Sequence, residues 1–208
     1  MAIVIDGLKL VNLKKRLPKE AFFVDTNVVI DYVDPFGRSF EDDVRAARNR
    51  DVTQVIGSLK RTAQAHSTIG VIAEYYKHIQ VGFYRSDPDR KHFDPERFKE
   101  LRDNDPDFMN RWDFWMEEIK KTFRKKFPVY STSPDALEVL DSFRGGEADF
   151  GDHLLFKAIM AAPAGMWCVF SNDGDFFSFS DDLYLLTTNE KIIKTAYEEG
   201  KLYKAADK

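Results

Sequence analysis

Phe22-Phe23-Val24-Asp25-Thr26-Asn27-Val28-Val29-Ile30 is the stretch around which this chain is organised. Apolar residues run into one Asp, then a Thr and an Asn, and apolar residues resume. A run of this kind reads as a buried parallel strand that stops at an acidic residue. In open α/β sheets the chemistry sits beyond the carboxyl ends of the strands. Asp25 is therefore either a ligand or base in a site, or the N-cap of the next helix, a position that Asp favours.

Downstream, Val28, Val29, Tyr32 and Val33 give a short helix that Asp34-Pro35-Phe36-Gly37 ends. Residues 41–64 read as helix, and Ala65-His66-Ser67-Thr68 as a brief extended piece. Thr68 is the expected N-cap of a helix over 69–79, with Ile69, Ile72, Tyr76 and Ile79 at helical spacing and Glu74 inside it. A helix over 147–160 carries Asp149 and Asp152 three apart on one face. Trp167-Cys168-Val169-Phe170 is a second buried strand, ending in Ser171-Asn172-Asp173-Gly174-Asp175-Phe176. Leu183–Thr187 reads as a last strand and 189–198 as a closing helix. Alternating strands and helices imply an α/β fold with a central parallel sheet flanked by helices. Residues 1–20 read as an amphipathic lead-in whose Lys14-Lys15-Arg16 cluster is a solvated turn in preference to a nucleic-acid contact.

Residues 84–130 change character. Asp94-Pro95 and Asp105-Pro106 each mark a helix start, with Asp as cap and Pro at the first helical position. Phe108, Trp112, Trp115, Ile119 and Phe123 form one aromatic-rich stripe, read as core packing. Lys120, Lys121 and Arg124 lie on another face, as solvated surface or as a tract for phosphates. Ser133-Pro134 opens a helix over 134–143 that ends at Gly145-Gly146. No repeat or flexible linker interrupts the chain, so residues 1–208 read as a single domain with a helical insertion at 84–130.

With 43% hydrophobic and 32% charged residues, the composition is that of a globular protein rather than a disordered one. No apolar run is long enough to span a bilayer, and the N-terminus lacks the features of a signal peptide. The single cysteine, Cys168, lies in an apolar strand, and the expected compartment is the cytoplasm. A net charge of -4 gives no argument for nucleic-acid binding and does not exclude it, because local basic patches coexist with an acidic total. His66 and His153 read as structural polar residues.

Two strands end in Asp, at Asp25 and Asp173, and two helices carry acids at Glu74 and at Asp149 and Asp152. A parallel sheet brings such positions to one edge. Two carboxylates ~5 Å apart repel by about 3 kcal/mol at an effective dielectric near 20. A cluster of them must stay partly protonated or hold cations, and oxygen-only ligands suit Mg²⁺ or Mn²⁺.

On these residues the chain resembles the PIN-domain nucleases. Val24-Asp25-Thr26-Asn27 matches the family's opening strand and Asp-Thr/Ser-Asn. Thr68 and Glu74 match its Ser/Thr six residues before a helical Glu. Asp152-His153-Leu154-Leu155-Phe156-Lys157-Ala158 matches its helical Asp, and Ser171-Asn172-Asp173-Gly174-Asp175-Phe176 its acidic strand end. The resemblance covers about 21–81 and 134–190. It implies a three-layer α/β/α fold and Mg²⁺- or Mn²⁺-dependent endonucleolytic hydrolysis of RNA. Asp25, Glu74, Asp152 and Asp173 are then the catalytic, metal-binding acids, with Asp149 and Asp175 as further metal-binding candidates. Asn27, Thr68 and Ser171 support them, and a water held by the metals is the nucleophile.

Part of the family acts as the toxin of toxin–antitoxin pairs. The resemblance therefore leaves room for an antitoxin or another protein partner, and for a homodimer. The insertion at 84–130 departs from compact members of the family and puts a toxin assignment in doubt. As a lid or wall beside the cleft, it would turn Lys120, Lys121 and Arg124 toward RNA. Rival readings are a non-catalytic PIN-like scaffold for RNA or protein, a flap-type DNA nuclease and a phosphatase of the haloacid-dehalogenase kind. The last looks for an Asp two residues after Asp25, where this chain has Asn27.

Overall fold

The computed structural model describes residues 1–37, 42–131, 134–143 and 149–204. Among them the sheet has five strands, all parallel, in the order β1-β5-β4-β2-β3. The strands are β1 (Ile3–Asp6), β2 (Ala21–Val24), β3 (Gln64–His66), β4 (Cys168–Phe170) and β5 (Tyr184–Thr187). Helices flank the sheet, which gives the expected α/β class. Phe22, Phe23 and Val24 are all fully buried, as a central strand covered on both faces requires.

The strand order decides where a site can form. From β2 the chain moves outward to β3, then crosses back over β2 to enter β4, and from there moves outward to β5. β2 and β4 are therefore neighbours from which the chain departs in opposite directions. That is the topological switch point, where open sheets leave a crevice at the strand ends. Phe23 pairs with Val169 and Val24 with Phe170, and the Asp25 amide donates to the Phe170 carbonyl at 3.1 Å. Asp25 and Ser171 thus leave the sheet side by side.

The lead-in differs from expectation. Residues 3–6 form strand β1 on β5, and helix α1 (Gly7–Asn12) follows at once, capped by Asp6. With only three strand residues before its capping Asp, the strand leaves little pattern to read. Both sheet edges are partly covered. The Tyr203 amide donates to the Val4 carbonyl at 2.8 Å, and the Tyr130 amide to the Ser67 carbonyl at 2.9 Å.

Helix α2 (Thr26–Val33) starts on Asp25 and stops at Asp34, a left-handed residue with φ 44°. Helix α3 (Asp43–Leu59) packs on α2, and α4 (Ile69–Arg85) begins with Thr68 as its cap. The buried face of α4 is set by Val71, Tyr75, Ile79 and Phe83. Ile69, expected on that face, is 71% exposed, while Ile72 and Tyr76 lie at its margin.

Helices α5 (Pro95–Asn104) and α6 (Pro106–Lys121) are each capped by the Asp before the Pro, as predicted. Their stripe is core: Phe108, Trp112, Ile119 and Phe123 are buried and Trp115 packs against them. Trp112 meets Phe98, Phe83 and Tyr76 with ring centroids 5.1, 5.5 and 5.6 Å apart. Tyr76, edge-on, and Phe83, tilted, join the insertion to α4. One π-helical turn, Thr122–Lys126, then leads the chain back to β3.

Helix α7 (Ala136–Ser142) is capped by Asp135, whose carboxylate accepts from the amides of Leu137 and Glu138. The expected start at Ser133 and the stop at Gly145-Gly146 lie outside the described residues. Helix α8 (Phe150–Met160) begins after Asp149, and the expected earlier start at 147 also lies outside them. The short α9 (Asp175–Ser178) and the closing α10 (Glu190–Glu198) complete the chain. Among the described residues no helix is long and apolar enough to cross a membrane.

Candidate functional site: an acidic pocket at the switch point

Asp25 is the N-cap its sequence allowed, and its second carboxylate oxygen is held by two further donors. Its Oδ1 accepts from the Thr26 amide at 2.6 Å at the start of α2. Its Oδ2 accepts from the Ser171 hydroxyl at 2.7 Å and from the Asn27 side-chain amide at 2.5 Å. Asp6 offers a contrast inside the same molecule. It also ends a strand and caps a helix, accepting from the Lys9 amide at 2.9 Å, but β1 is two strands away from the switch point. A strand-end Asp is a cap anywhere along the sheet, and it meets other acids only at the crevice.

Three carboxylates converge there. Asp152 on α8, and Asp173 and Asp175 beyond β4, each place an oxygen within 4.8 Å of the other two. At that separation two unit charges repel by about 3 kcal/mol at an effective dielectric near 20. Burial first, then the charges of Asp25, Asp149, Asp173 and Asp175, push Asp152 up to about 8. Asp25 is pushed up to about 6, by burial most, against the lowering effect of the Ser171 and Thr26 hydrogen bonds; Glu74 and Asp173 raise it further. Asp175 is raised as well, by burial and then by Asp173 and Asp149.

The acids ranked first by sequence fall into two groups. Asp152 and Asp173 are in the triad, and Asp175 joins them as its third member. Asp25 sits beneath, with three of its lone pairs occupied by donors. Glu74 is exposed on α4 and its Oε2 accepts from the Thr26 hydroxyl at 2.7 Å, which aims it at the start of α2. Asp149 is the cap of α8, accepting from the Asp152 amide at 2.9 Å, so it positions the triad member three residues on.

Of the supporting residues named from sequence, Ser171 and Asn27 hydrogen-bond to Asp25 and Thr68 caps α4. The Ser171 hydroxyl accepts from the Asp173 amide at 2.9 Å while donating to Asp25, and so fixes both acids. Asn27 also accepts from the Asn172 amide at 3.4 Å. Thr68 acts through its helix, accepting from the Val71 amide at 3.4 Å.

Three residues were not read from the sequence. Thr26 holds Glu74, and its place beside Asp25 was the only signal. Asn172 anchors the acidic loop: its side-chain oxygen accepts from the Thr187 hydroxyl and from both the amide and hydroxyl of Thr188, at 3.0 to 3.1 Å. Lys77, three residues after Glu74 on the same helix face, lines a cavity of about 440 Å³ with Asp25, Glu74, Asp149 and Gly151. At Gly151 a Cβ would stand 3.1 Å from Asp149 Oδ1 and 3.9 Å from Glu74 Oε2, so the missing side chain leaves room between the acids.

Lys120 and Lys121 occupy the last turn of α6, paired with Glu117 at 2.6 Å and Glu118 at 2.5 Å, and Arg124 lies in the π turn. None of the three lines the cavity beside the acids. His153 is buried against Phe143 and Ser142, and Cys168 is buried with its thiol pushed up to about 12, so both are structural.

No protein-family model, curated protein or solved structure matches the chain.

Proposed function

We propose that the pocket is the active site of a PIN-like endoribonuclease that hydrolyses RNA phosphodiester bonds with Mg²⁺ or Mn²⁺. One observation carries the reading: Asp152, Asp173 and Asp175 converge beside a buried Asp25 at the switch point of a parallel sheet. The donor set fits a hard divalent cation. It is all oxygen, carries several negative charges in a small volume, and pays for their approach in raised carboxyl pKa values.

Asp152, Asp173 and Asp175 would hold the cation, with Asp25 and Glu74 completing the negative field. A divalent cation bound to such carboxylates supplies charge stabilisation at a phosphoryl oxygen and lowers the pKa of water. The chain's own residues do the rest. Ser171 and Asn27 fix the Asp25 carboxylate, Thr26 fixes Glu74, and Asn172 ties the Asp173 loop to the end of β5. Lys77 places a cation on the wall of the cavity lined by Asp25, Glu74 and Asp149, where a backbone phosphate would find a counter-charge.

The test is cleavage of an end-labelled mixed RNA pool by the purified chain, in EDTA and in Mn²⁺ or Mg²⁺. Cleavage is expected with the metals only, and Asp173→Asn should remove it. No cleavage with either metal overturns the reading. Preferential cutting of a flapped DNA replaces RNA as the substrate.

A further inference from the structure

A second cavity, of about 210 Å³, lies between α2 and α3 and shares a wall with the acids, because Asn27 lines it while donating to Asp25. One helical turn beyond Asn27, Asp31 faces the same space. Its carboxyl is partly buried and raised by that burial, with Arg48 and Arg45 pulling the other way. Among the described residues nothing hydrogen-bonds to that carboxylate; Asn49 donates instead to the Asp31 backbone carbonyl at 2.5 Å. Arg45 and Arg48, three residues apart on α3, bring two guanidinium groups to the cavity. Arg48 forms no ion pair among the described residues, and Arg45 has only a loose one with Asp42 at 3.7 Å. Phe36 and His78 supply aromatic walls, their ring centroids 6.1 Å apart.

A half-buried carboxylate with no donor among the described residues, beside two guanidinium groups, calls for a ligand with N–H groups on one edge and acceptors on another. The volume lies below the ~300–1,000 Å³ usual for whole small-molecule ligands, so it suits one heterocycle with the rest of the molecule outside. Guanine presents two adjacent N–H donors, N1–H and the 2-amino group, to a carboxylate. It also offers O6 and N7 to a guanidinium, the commonest arginine–base contact. Adenine and cytosine offer one amino group toward a carboxylate, and uracil offers one N–H between two carbonyls that the carboxylate would repel. Aromatic walls favour a flat ring of any kind.

We propose that the cavity between α2 and α3 is a guanine-binding subsite, holding the base of a nucleotide next to the bond at the acids. Its role in cleavage rests on the nuclease reading above, while the binding of guanine does not.

The test is calorimetric titration of the full-length protein, in EDTA, with 5′-GMP, AMP, CMP and UMP. GMP should bind at least ~10-fold more tightly than the other three. Asp31→Ala and Arg48→Ala should each weaken GMP by roughly 10-fold or more and leave the other three unchanged. Arg48 is exposed, so its variant carries the test if Asp31→Ala does not fold. Equal binding of all four nucleotides, no binding of GMP, or unchanged GMP affinity in Arg48→Ala overturns the subsite. A chain that binds GMP selectively but cuts no RNA keeps the subsite and overturns the nuclease reading. A chain that cuts RNA, with no guanine preference beside the cut and no GMP selectivity, does the reverse.

Discussion

The Ser171 hydroxyl donates to Asp25 Oδ2 at 2.7 Å across a separation of 146 residues. That bond spans β2 and β4 just beyond the sheet, and the same hydroxyl accepts from the Asp173 amide. Ser171→Ala should therefore loosen two acids at once and leave a buried carboxylate oxygen with one donor. The expected cost is about 1–3 kcal/mol. In a chain of this size that lowers Tm by roughly 2–4 °C per kcal/mol. Thermal melting by circular dichroism checks it, and an unchanged Tm means the bond contributes little.

Asp152 gives a pH dependence with a definite sign. Its folded carboxyl is held up to about 8, against 3.8 for an ordinary Asp. The native state holds this proton more tightly than the unfolded chain, so stability falls as pH rises through that window. Asp152→Asn removes the group. In metal-free buffer its Tm should match the wild type near pH ~4 and exceed it increasingly toward pH ~8, as the wild-type penalty develops. A Tm advantage confined to acid pH would contradict the assignment.

Divalent ions should act in the opposite sense at the same place. At pH ~8 Mn²⁺ should raise the wild-type Tm through binding to the native state alone. The rise should shrink in Asp152→Asn, which has lost one ligand of the triad, and equal rises in both proteins would place the ion elsewhere. This is a melting measurement and needs no nuclease assay.

Gly82 is held to glycine by packing. A Cβ there would run into the Phe36 ring. Gly82→Ala should cost about 1–3 kcal/mol by overpacking. Because Phe36 also lines the cavity between α2 and α3, GMP affinity should fall with it. Melting and titration of the one variant read both effects.

The aromatic insertion gives a matched pair of substitutions. Trp112 is 3% exposed and Phe114, two residues on, is 61% exposed. Trp112→Ala should cost about 3–5 kcal/mol. Phe114→Ser should stay within about 0.5 kcal/mol of wild type. Urea denaturation of both separates core from surface on one helix.

Much of the sheet was legible because its central strands are apolar on both faces and end in polar residues that cannot continue them. Phe22–Val24 and Cys168–Phe170 announce themselves in this way. β1 does not, since its Asp caps a helix that starts at the next residue, and strand and helix merge into one apolar-rich stretch. The caps at Thr68, Asp94 and Asp105 were readable from local chemistry, whereas the exposure of Ile69 depends on how α4 is rotated against the sheet, which spacing alone cannot fix. At the site, the acids could be named, but their sequence ranking put Asp175 behind Asp25 and Glu74, whereas the converging triad contains Asp175 and neither of those two. Asp25 and Asp175 both look like turn or cap residues in sequence. Only the strand order shows that one lies under the cluster with its lone pairs engaged and the other in the triad. The roles of Thr26 and Asn172 are hydrogen bonds to residues 48 and 15 to 16 positions away, and no local pattern encodes them.

The crossover from β3 back over β2 to β4 also sets a timetable. Asp25 and Glu74 are synthesised before Asp152, Asp173 and Asp175. Until α8 and β4 dock, the early acids are scattered, solvated carboxylates with ordinary affinity for a proton and little for a cation. A growing chain on the ribosome, or a fragment released before β4, carries half of a pocket and none of its electrostatic field. Whatever the finished pocket does, its onset is tied to completion of the fold.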